Sequence, residues 1–122
     1  MPAPQDTCCS IAPYFKVNEG QLPAFKALCR KFVAASSGEK GCLYYGFTFN
    51  GDEAHCREGY VNADALLTHL DNVKDLLESS LQIAELTHLE IHGPASELAR
   101  LREPLAAMNP RFFQLEDGFR RS

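Results

Sequence analysis

The 122-residue sequence lacks long hydrophobic runs and has no excess of positive charge. Its longest apolar stretches fall well short of the roughly 20 residues that cross a bilayer, so we expect no membrane partner. Lys and Arg number 12 against 16 Asp and Glu, which gives a net charge of −4. Because nucleic-acid binding usually needs a clustered positive face, we also expect no nucleic-acid partner.

Cysteine is sparse and odd in number, with five residues that lack the dense, even spacing of a disulfide-stapled secreted scaffold. The sequence from Met1 to Pro13 has neither the cationic region nor the apolar region of a secretory signal. These features together predict a cytoplasmic protein in a reducing compartment.

Motifs of the common cofactor-dependent enzymes are missing as well. The sequence contains no glycine-rich phosphate loop, nucleotide-binding fingerprint, Gly-x-Ser-x-Gly elbow or Cys-x-x-Cys pair. We therefore expect no ATP, NAD or classical serine-hydrolase chemistry, and no bound cofactor.

The middle of the chain predicts two strands, a tight turn and a helix. Residues 42–49 alternate and are rich in aromatics, residues 54–61 form a second extended run, and Asn50-Gly51 supplies the turn between them. Asn62 is a typical N-cap for a helix whose apolar residues recur at 66, 67, 70 and 73.

The flanking segments complete the predicted order. Residues 11–17 form a first strand, in which Pro13 favours an edge position or the strand's beginning. A helix over residues 21–36 has Pro23 in its first turn and an apolar stripe that includes Val33. The remaining predictions are a helix break near Asp71-Asn72, a strand over 87–92, a helical segment over 95–108 interrupted at Pro104, and a last strand over 111–116.

This order, β-α-β-β-α-β with an extra C-terminal helix and strand, predicts a ferredoxin-like α+β fold. We expect a loose arm over residues 1–9 and a single domain over 10–122. The helices cover one face of such a sheet, and the other face carries Tyr and Phe side chains. We therefore predict a homodimer in which two sheets meet and enclose the ligand cavity, with the extra strand completing the partner's sheet.

The residues of the hairpin and helix resemble a known family. Gly-Cys-Leu-x-Tyr at 41–45, Arg-Glu-x-Tyr at 57–60 and Ala-Asp-Ala-Leu-Leu-x-His-Leu at 63–70 resemble the antibiotic biosynthesis monooxygenase-like family of dimeric α/β barrels. The resemblance covers roughly residues 12–93. It implies a dimeric α/β barrel and an activity among cofactor-independent monooxygenases, haem-degrading enzymes and lactone isomerases. The absence of tryptophan argues against the haem-degrading branch.

Glu58 and His69 are the candidate catalytic residues. Glu58 lies on the second hairpin strand and His69 on the helix that follows, and such a strand and helix usually pack together. A carboxylate beside an imidazole can move a proton near neutral pH. The alternative is that His69 borders the apolar stripe and Glu58 only satisfies its hydrogen bond.

The candidate substrate-binding residues are Tyr14, Tyr44, Tyr45, Tyr60 and His92. A two-residue Asn50-Gly51 turn pairs Tyr45 with Cys56, whereas a three- or five-residue loop reverses which strand face the tyrosines share with Glu58. Packing of the rings in the core or in a dimer interface is the alternative.

His88, Glu90 and His92 share one strand face and raise the question of a metal. The two histidines are separated by about 13 Å, at ~3.3 Å per residue, which is too far to hold one ion. We expect Glu90 and His92 instead to be polar residues of the pocket lining, on a semi-polar face of the barrel interior that also carries Tyr14 and Lys16.

Two functional hypotheses remain open. In the first, the chain is a cofactor-independent monooxygenase, or a related oxygenase or isomerase, in which His69 and Glu58 move a proton on a small aromatic or enolisable compound. In the second, it is a non-catalytic dimer that binds a small ligand or has a structural role.

Overall fold

A computed structural model describes residues 6–121 and contains one five-stranded sheet with helices on one face. The elements are β1 (Cys9–Val17), α1 (Leu22–Ser37), β2 (Cys42–Asn50), β3 (Glu53–Tyr60), α2 (Ala63–Asn72), α3 (Lys74–Leu81), β4 (Ala84–Gly93), α4 (Ala95–Leu101), a 3-10 turn (Ala106–Met108) and β5 (Arg111–Gln114). The strand order is β2-β3-β1-β4-β5. The predicted ferredoxin-like α+β fold with a C-terminal extension is confirmed.

Strand β1 lies in the centre of the sheet, so the prediction of an edge position or a strand beginning for Pro13 was wrong. The structure accommodates the missing N–H by local irregularity. Pairing between β1 and β3 is interrupted between Ile11 and Tyr14, and pairing with β4 shifts register after Tyr14. The Pro13 carbonyl is still used, because His55 Nδ1 lies 2.9 Å from it.

The hairpin turn falls one residue later than predicted. Asn50 pairs with Glu53, so Gly51 and Asp52 form the turn and Tyr45 lies opposite Glu58. Gly51 has a φ of 61°, the positive value that a type II′ turn requires at its first central residue. The predicted pairing of Tyr45 with Cys56 was therefore wrong by two residues. Because the shift is an even number of residues, Tyr45 and Glu58 still lie on the same face of the sheet, as the two-residue turn predicted.

Helix α1 packs on the sheet through a stripe of four residues. Pro23 lies in the first turn, as predicted. The buried residues are Phe25, Cys29, Phe32 and Ser36, which follow the spacing of a single helical face. Val33 falls outside this stripe and is 43% exposed, so its predicted place in the core was wrong.

The second helical segment is divided in two, as predicted. The Asn62 side chain accepts a hydrogen bond from the Ala65 backbone N–H and caps α2. Helix α2 ends at Asn72, and α3 begins at Lys74 after Val73. The Asn72 side chain turns back to donate to the Ala35 carbonyl at 3.3 Å, which ties the break to the end of α1.

The C-terminal extension packs on its own protomer. Strand β5 pairs in parallel with β4 of the same chain, so it does not complete a partner's sheet as predicted. Leu98, Leu101 and Leu105 are buried in the core beneath it. Within residues 6–121, no helix is long and apolar enough to cross a membrane.

The regular structure of the chain begins earlier than predicted, at residue 9. Cys9 belongs to β1 and is fully buried, so the predicted loose arm over residues 1–9 does not extend to it. Residues 1–5 of the predicted arm lie outside the described residues.

Candidate active site

Strand β3 and helix α2 bring Glu58 and His69 together, as the sequence predicted. Alternation along β3 points Cys56, Glu58 and Tyr60 towards the helices. On α2, His69 lies on the same buried stripe as Leu66. His69 Nε2 lies 3.4 Å from Glu58 Oε1, and the two side chains are 2% and 5% exposed.

Sequence reasoning missed Glu39, which contacts the other nitrogen of the same imidazole. The two carboxylate oxygens of Glu39 lie 3.1 and 3.0 Å from His69 Nδ1. Glu39 lies in the loop between α1 and β2, where no periodic pattern indicates which way a side chain points. Because a carboxylate can only accept a hydrogen bond, the Nδ1 atom carries a proton in this contact.

Asn72 holds Glu39 in place, and it too was missed. Its side-chain amide donates to Glu39 Oε2 at 2.8 Å. Asn72 follows His69 by three residues, a spacing that puts both side chains on one face of α2. That spacing was the one available signal that the two residues act on a common partner.

Two of the predicted tyrosines surround this pair. The Tyr60 hydroxyl donates a hydrogen bond of 2.6 Å to Glu58 Oε1. The rings of Tyr45 and Tyr60 lie with their centroids 5.2 and 5.0 Å from the imidazole of His69. One oxygen of Glu58, Oε1, therefore contacts both the Tyr60 hydroxyl and the His69 imidazole.

Burial shifts the acid–base behaviour of the central pair in opposite directions. Burial raises the pKa of Glu58 to about 7, against the opposing effect of hydrogen bonds from Tyr60 and Cys56. Burial lowers the pKa of His69, and the Glu39 carboxylate opposes that change. A carboxyl that holds its proton to neutral pH beside an imidazole that stays neutral is an arrangement suited to proton transfer.

The pair opens onto a small apolar cavity, here named the inner cavity, between the sheet and the helices of one protomer. Its volume is about 40 Å³, enough for about three water molecules. Besides Glu58, His69, Tyr45, Cys56 and Ser80, it is lined by Ile11, Pro13, Phe15, Phe25, Phe32, Phe47, Leu70, Val73, Leu77, Leu86, Leu89 and Met108. The Glu58–His69 pair thus opens onto a cavity within one protomer, and the predicted cavity between two sheets stays a prediction.

Met108 gives the C-terminal extension a role at the inner cavity. The residue ends the 3-10 turn, is partly buried and lines the cavity beside Leu86 and Leu89. A methionine side chain has three rotatable bonds and adapts readily to its surroundings. A ligand larger than the present volume requires side chains to move, and Met108 is well suited to do so.

The other predicted binding residues lie on the opposite, open face of the sheet. Tyr14 is 38% exposed and stacks on His55 with centroids 4.1 Å apart. Tyr44 is 41% exposed and covers Gly59, where a Cβ would lie 2.5 Å from its ring. His92 Nε2 lies 2.8 Å from Glu90. These three residues do not line the inner cavity.

Glu90 joins the two histidines of β4 on that open face. Its Oε2 lies 2.5 Å from His88 Nε2, and its Oε1 lies 2.8 Å from His92 Nε2. Because both imidazoles face the same carboxylate, their hydrogen bonds lower the pKa of Glu90. The three residues form a polar row along the open face.

Comparison with solved structures defines the class of the protein. A candidate antibiotic biosynthesis monooxygenase from Chloroflexus aurantiacus aligns over 72% of this chain and 93% of its own, with a TM-score of 0.59 and 17% identity. A conserved protein from Bacteroides thetaiotaomicron, described as a possible oxidoreductase, aligns over 70% and 96%, with a TM-score of 0.65 and 21% identity. The chain thus has the antibiotic biosynthesis monooxygenase-like fold, as its residues predicted.

A third structure identifies the family more narrowly. MupZ from Pseudomonas fluorescens aligns over 99% of this chain and 94% of its own, with a TM-score of 0.94 and 47% identity. The chain therefore belongs to the family of MupZ. The alignment includes the C-terminal extension, which distinguishes it from the alignments near 70%. No protein-family model matches the sequence, and no curated protein matches it.

Proposed function

We propose that this chain is a cofactor-independent enzyme that moves protons on a small aromatic or enolisable compound, as a monooxygenase or an isomerase. The observation that carries this proposal is the burial of Glu58 and His69 in the lining of an otherwise largely apolar cavity, with the buried Tyr60 hydroxyl donating to Glu58. Burying titratable groups together is costly, and such clusters with shifted pKa values concentrate at functional sites.

The proposed roles follow from the contacts. His69 presents Nε2 to the inner cavity while Glu39 holds Nδ1, so Nε2 is the proposed base that takes a proton from the ligand. Glu58, which keeps its proton to about pH 7, is the proposed acid. Tyr45 would position the ligand against His69, and the Tyr60 hydroxyl would hold Glu58 in place. In an isomerase the proton returns to a different atom of the same compound.

In a monooxygenase the same proton removal activates the compound towards dioxygen. The carbanion or phenolate supplies electrons to dioxygen, one oxygen atom enters the product, and two hydrogens of the substrate leave with the second as water. The apolar walls would favour the delocalised anion by excluding water. Neither route needs a group beyond the ligand, dioxygen and these side chains.

The lining of the inner cavity also indicates the charge of the ligand. Its described lining residues include a carboxyl group and an imidazole but no Lys or Arg. A carboxylate or phosphate placed in this cavity would lose its hydration without gaining a cationic partner. We therefore expect a neutral ligand with an apolar body and one polar group at the end near His69.

The small volume of the inner cavity supports a second candidate function. At about 40 Å³ the cavity is largely filled by the protein's own side chains, as expected for a non-catalytic ligand-binding or structural protein. In that case Glu58 and His69 satisfy each other within the core. The experiment below separates the two functions.

We further propose a homodimer in the cytoplasm. The open face, defined by Tyr14, Tyr44, His88, His92 and Phe113, is the proposed contact between copies. The large exposed rings give this face an apolar surface that a second copy would cover. The five free cysteines suit a reducing compartment.

Catalysis can be tested without knowing the physiological substrate. Oxygen uptake is measured with a panel of quinols and anthrones, and deuterium incorporation from heavy water is measured with a panel of enolisable ketones. The proteins are the wild type, His69→Ala, Glu58→Gln and the control Glu78→Gln, which removes an exposed carboxylate from α3.

We expect turnover by the wild type and by Glu78→Gln in one of the two assays. Losses in His69→Ala and Glu58→Gln should reach about 10²–10⁴-fold, the usual contribution of a positioned acid or base. Equal background rates for all four proteins in both assays would instead favour the non-catalytic function.

A further inference from the structure

His69 lies between two separate spaces. On one side is the inner cavity, whose lining includes Glu58 and His69 but not Glu39. On the other is a surface depression, here named the outer groove, lined by Ala35, Gly38, Glu39, Lys40, Gly41, Ala65, Thr68, Asp71 and Asn72. The imidazole separates the two spaces and contacts a carboxyl group belonging to each.

The contacts across this boundary form a continuous polar chain. Tyr60 donates to Glu58, Glu58 lies 3.4 Å from His69 Nε2, and His69 Nδ1 lies 3.0 Å from Glu39. The Glu39 side chain is 9% exposed, against 2% for His69, so exposure rises towards the outer groove. Asn72 fixes the Glu39 carboxylate at the groove end.

We propose that His69 and Glu39 form a proton path that connects Glu58 in the inner cavity with water in the outer groove. The proposal rests on the proposed function, because a buried acid that gives up its proton has to regain one. Glu39 does not touch the ligand. It is a positioning residue for His69 and the group that exchanges protons with water in the outer groove.

Each step of the path conserves protons. Once an outward transfer has left the ring proton on Nε2, Glu58 is reloaded when Glu39 takes a proton from water in the groove and passes it to His69 Nδ1 as the proton on Nε2 moves to Glu58 Oε1, which returns the ring proton to Nδ1. In the opposite direction Nε2 accepts from Glu58, Nδ1 donates to Glu39, and Glu39 releases to water. No electron is transferred, and no covalent bond other than those to hydrogen changes.

Other titratable groups near the path do not interrupt it. Tyr45 on β2 and Tyr60 on β3 face the imidazole with their rings, while Cys42 and Cys56 lie near the two carboxyl groups. Burial raises the pKa of each of these phenols and thiols, so they keep their own protons at neutral pH.

The test measures proton exchange in the ligand-free protein. In a sample with ¹⁵N-labelled histidine, NMR reports the tautomer of His69 and the exchange of its ring proton with water. We expect the neutral ring to carry its proton on Nδ1. In Glu39→Gln, exchange should slow by about a hundredfold, because an amide cannot relay a proton as a carboxylate does.

The control is Asp71→Asn, which removes a carboxylate that lines the same groove, and it should exchange at the wild-type rate. If Glu39→Gln does not fold, Asn72→Ala is the second variant, and the loss of its anchor on Glu39 should slow exchange in the same direction. Exchange at the wild-type rate in the folded variant, or a ring proton on Nε2, would overturn the proposal.

No substrate is needed, so the result separates the two proposals. Unchanged exchange in an enzyme that turns over substrate contradicts the proton path alone. Slowed exchange in a protein without turnover contradicts the proposed function alone.

Discussion

At the scale of single residues, the acid–base behaviour of Glu58 depends on Tyr60 from β3, on His69 from α2 and on the apolar walls of the inner cavity. Tyr60 donates to Oε1, His69 approaches the same oxygen, and the apolar walls exclude the water that would stabilise a negative charge. Burial is the largest cause of its raised pKa. The consequence is a carboxyl group whose ionisation costs stability when the protein is folded.

This cost should appear in the pH dependence of stability. Up to about pH 4.5 the Glu58 carboxyl is protonated in both the folded and the unfolded protein. Between pH 4.5 and about 7 it stays protonated only in the folded protein. Because the folded state then binds more protons, the free energy of unfolding falls as the pH rises, by about 3 kcal/mol in total. Glu58→Gln cannot ionise, so relative to the wild type it should gain about this amount between pH 4.5 and 8.

Urea denaturation across that pH range measures the effect. Glu78→Gln is the matched control and should follow the wild type, since it removes a carboxylate exposed on α3. His69 stays in all three proteins, so the fall in stability that its lowered pKa causes in acid is common to them. Parallel curves for the wild type and Glu58→Gln would show that Glu58 ionises normally.

The sequence predicted part of this site, for a physical reason. Glu58 and His69 were brought together because a strand and the helix after it pack against each other. Glu39 could not be predicted, since a loop side chain has no periodicity to indicate its direction. Tyr14, Tyr44 and His92 were grouped with the site by residue type, whereas alternation along their strands points them to the other face.

At the scale of elements, the cap of α2 sets where His69 points. Asn62 accepts from Ala65 N–H at 2.9 Å and begins the helix directly after β3. Seven residues later the same helix places His69 on its buried stripe with Leu66. The cap therefore fixes the phase of the helix relative to the strand that carries Glu58.

Removing the cap should destabilise the protein measurably. We expect Asn62→Ala to lower the free energy of unfolding by about 1 kcal/mol, the usual cost of losing an N-cap acceptor. Chemical denaturation provides the measurement. Asn62→Asp keeps an acceptor at the same place and should remain near the wild type. An equal loss in both variants would mean that the hydrogen bond to Ala65 is not the cause.

The order of elements was predictable because each has its own periodic pattern and residues that mark its ends, such as those at the helix break near Asn72. The errors came where tertiary context overrides a local rule. Pro13 is tolerated in a central strand because the pairing around it is irregular. Strand β5 joins its own sheet because β4 offers a free edge to the same chain.

At the scale of the whole molecule, the sheet separates two surfaces with different properties. The helix face contains the inner cavity and the core. The open face has large exposed rings, including Tyr14, Tyr44 and Phe113, beside the polar row of His88, Glu90 and His92. Such a face suits a contact between two copies with an apolar centre and polar hydrogen-bonding groups.

The proposed homodimer should appear as twice the mass of the 13.6 kDa chain in sedimentation. Tyr14→Asp places an unpaired carboxylate in the proposed contact. We expect the dissociation constant of the dimer to rise by about a hundredfold, or ~3 kcal/mol. Lys31→Asp, on the exposed side of α1, is the control and should leave the dimer intact. A wild-type protein that sediments as a monomer at all concentrations would refute this contact.

The proposed acid–base chemistry depends most directly on the protonation of the Glu58 carboxyl group. We would titrate the side-chain carboxyl of Glu58 by ¹³C NMR in the wild type, with Glu58→Gln to assign its signal. We predict a pKa of about 7 for Glu58, far above the usual 4.5. A midpoint near 4.5 would contradict it, because the group would then be charged at neutral pH and unable to act as the buried acid.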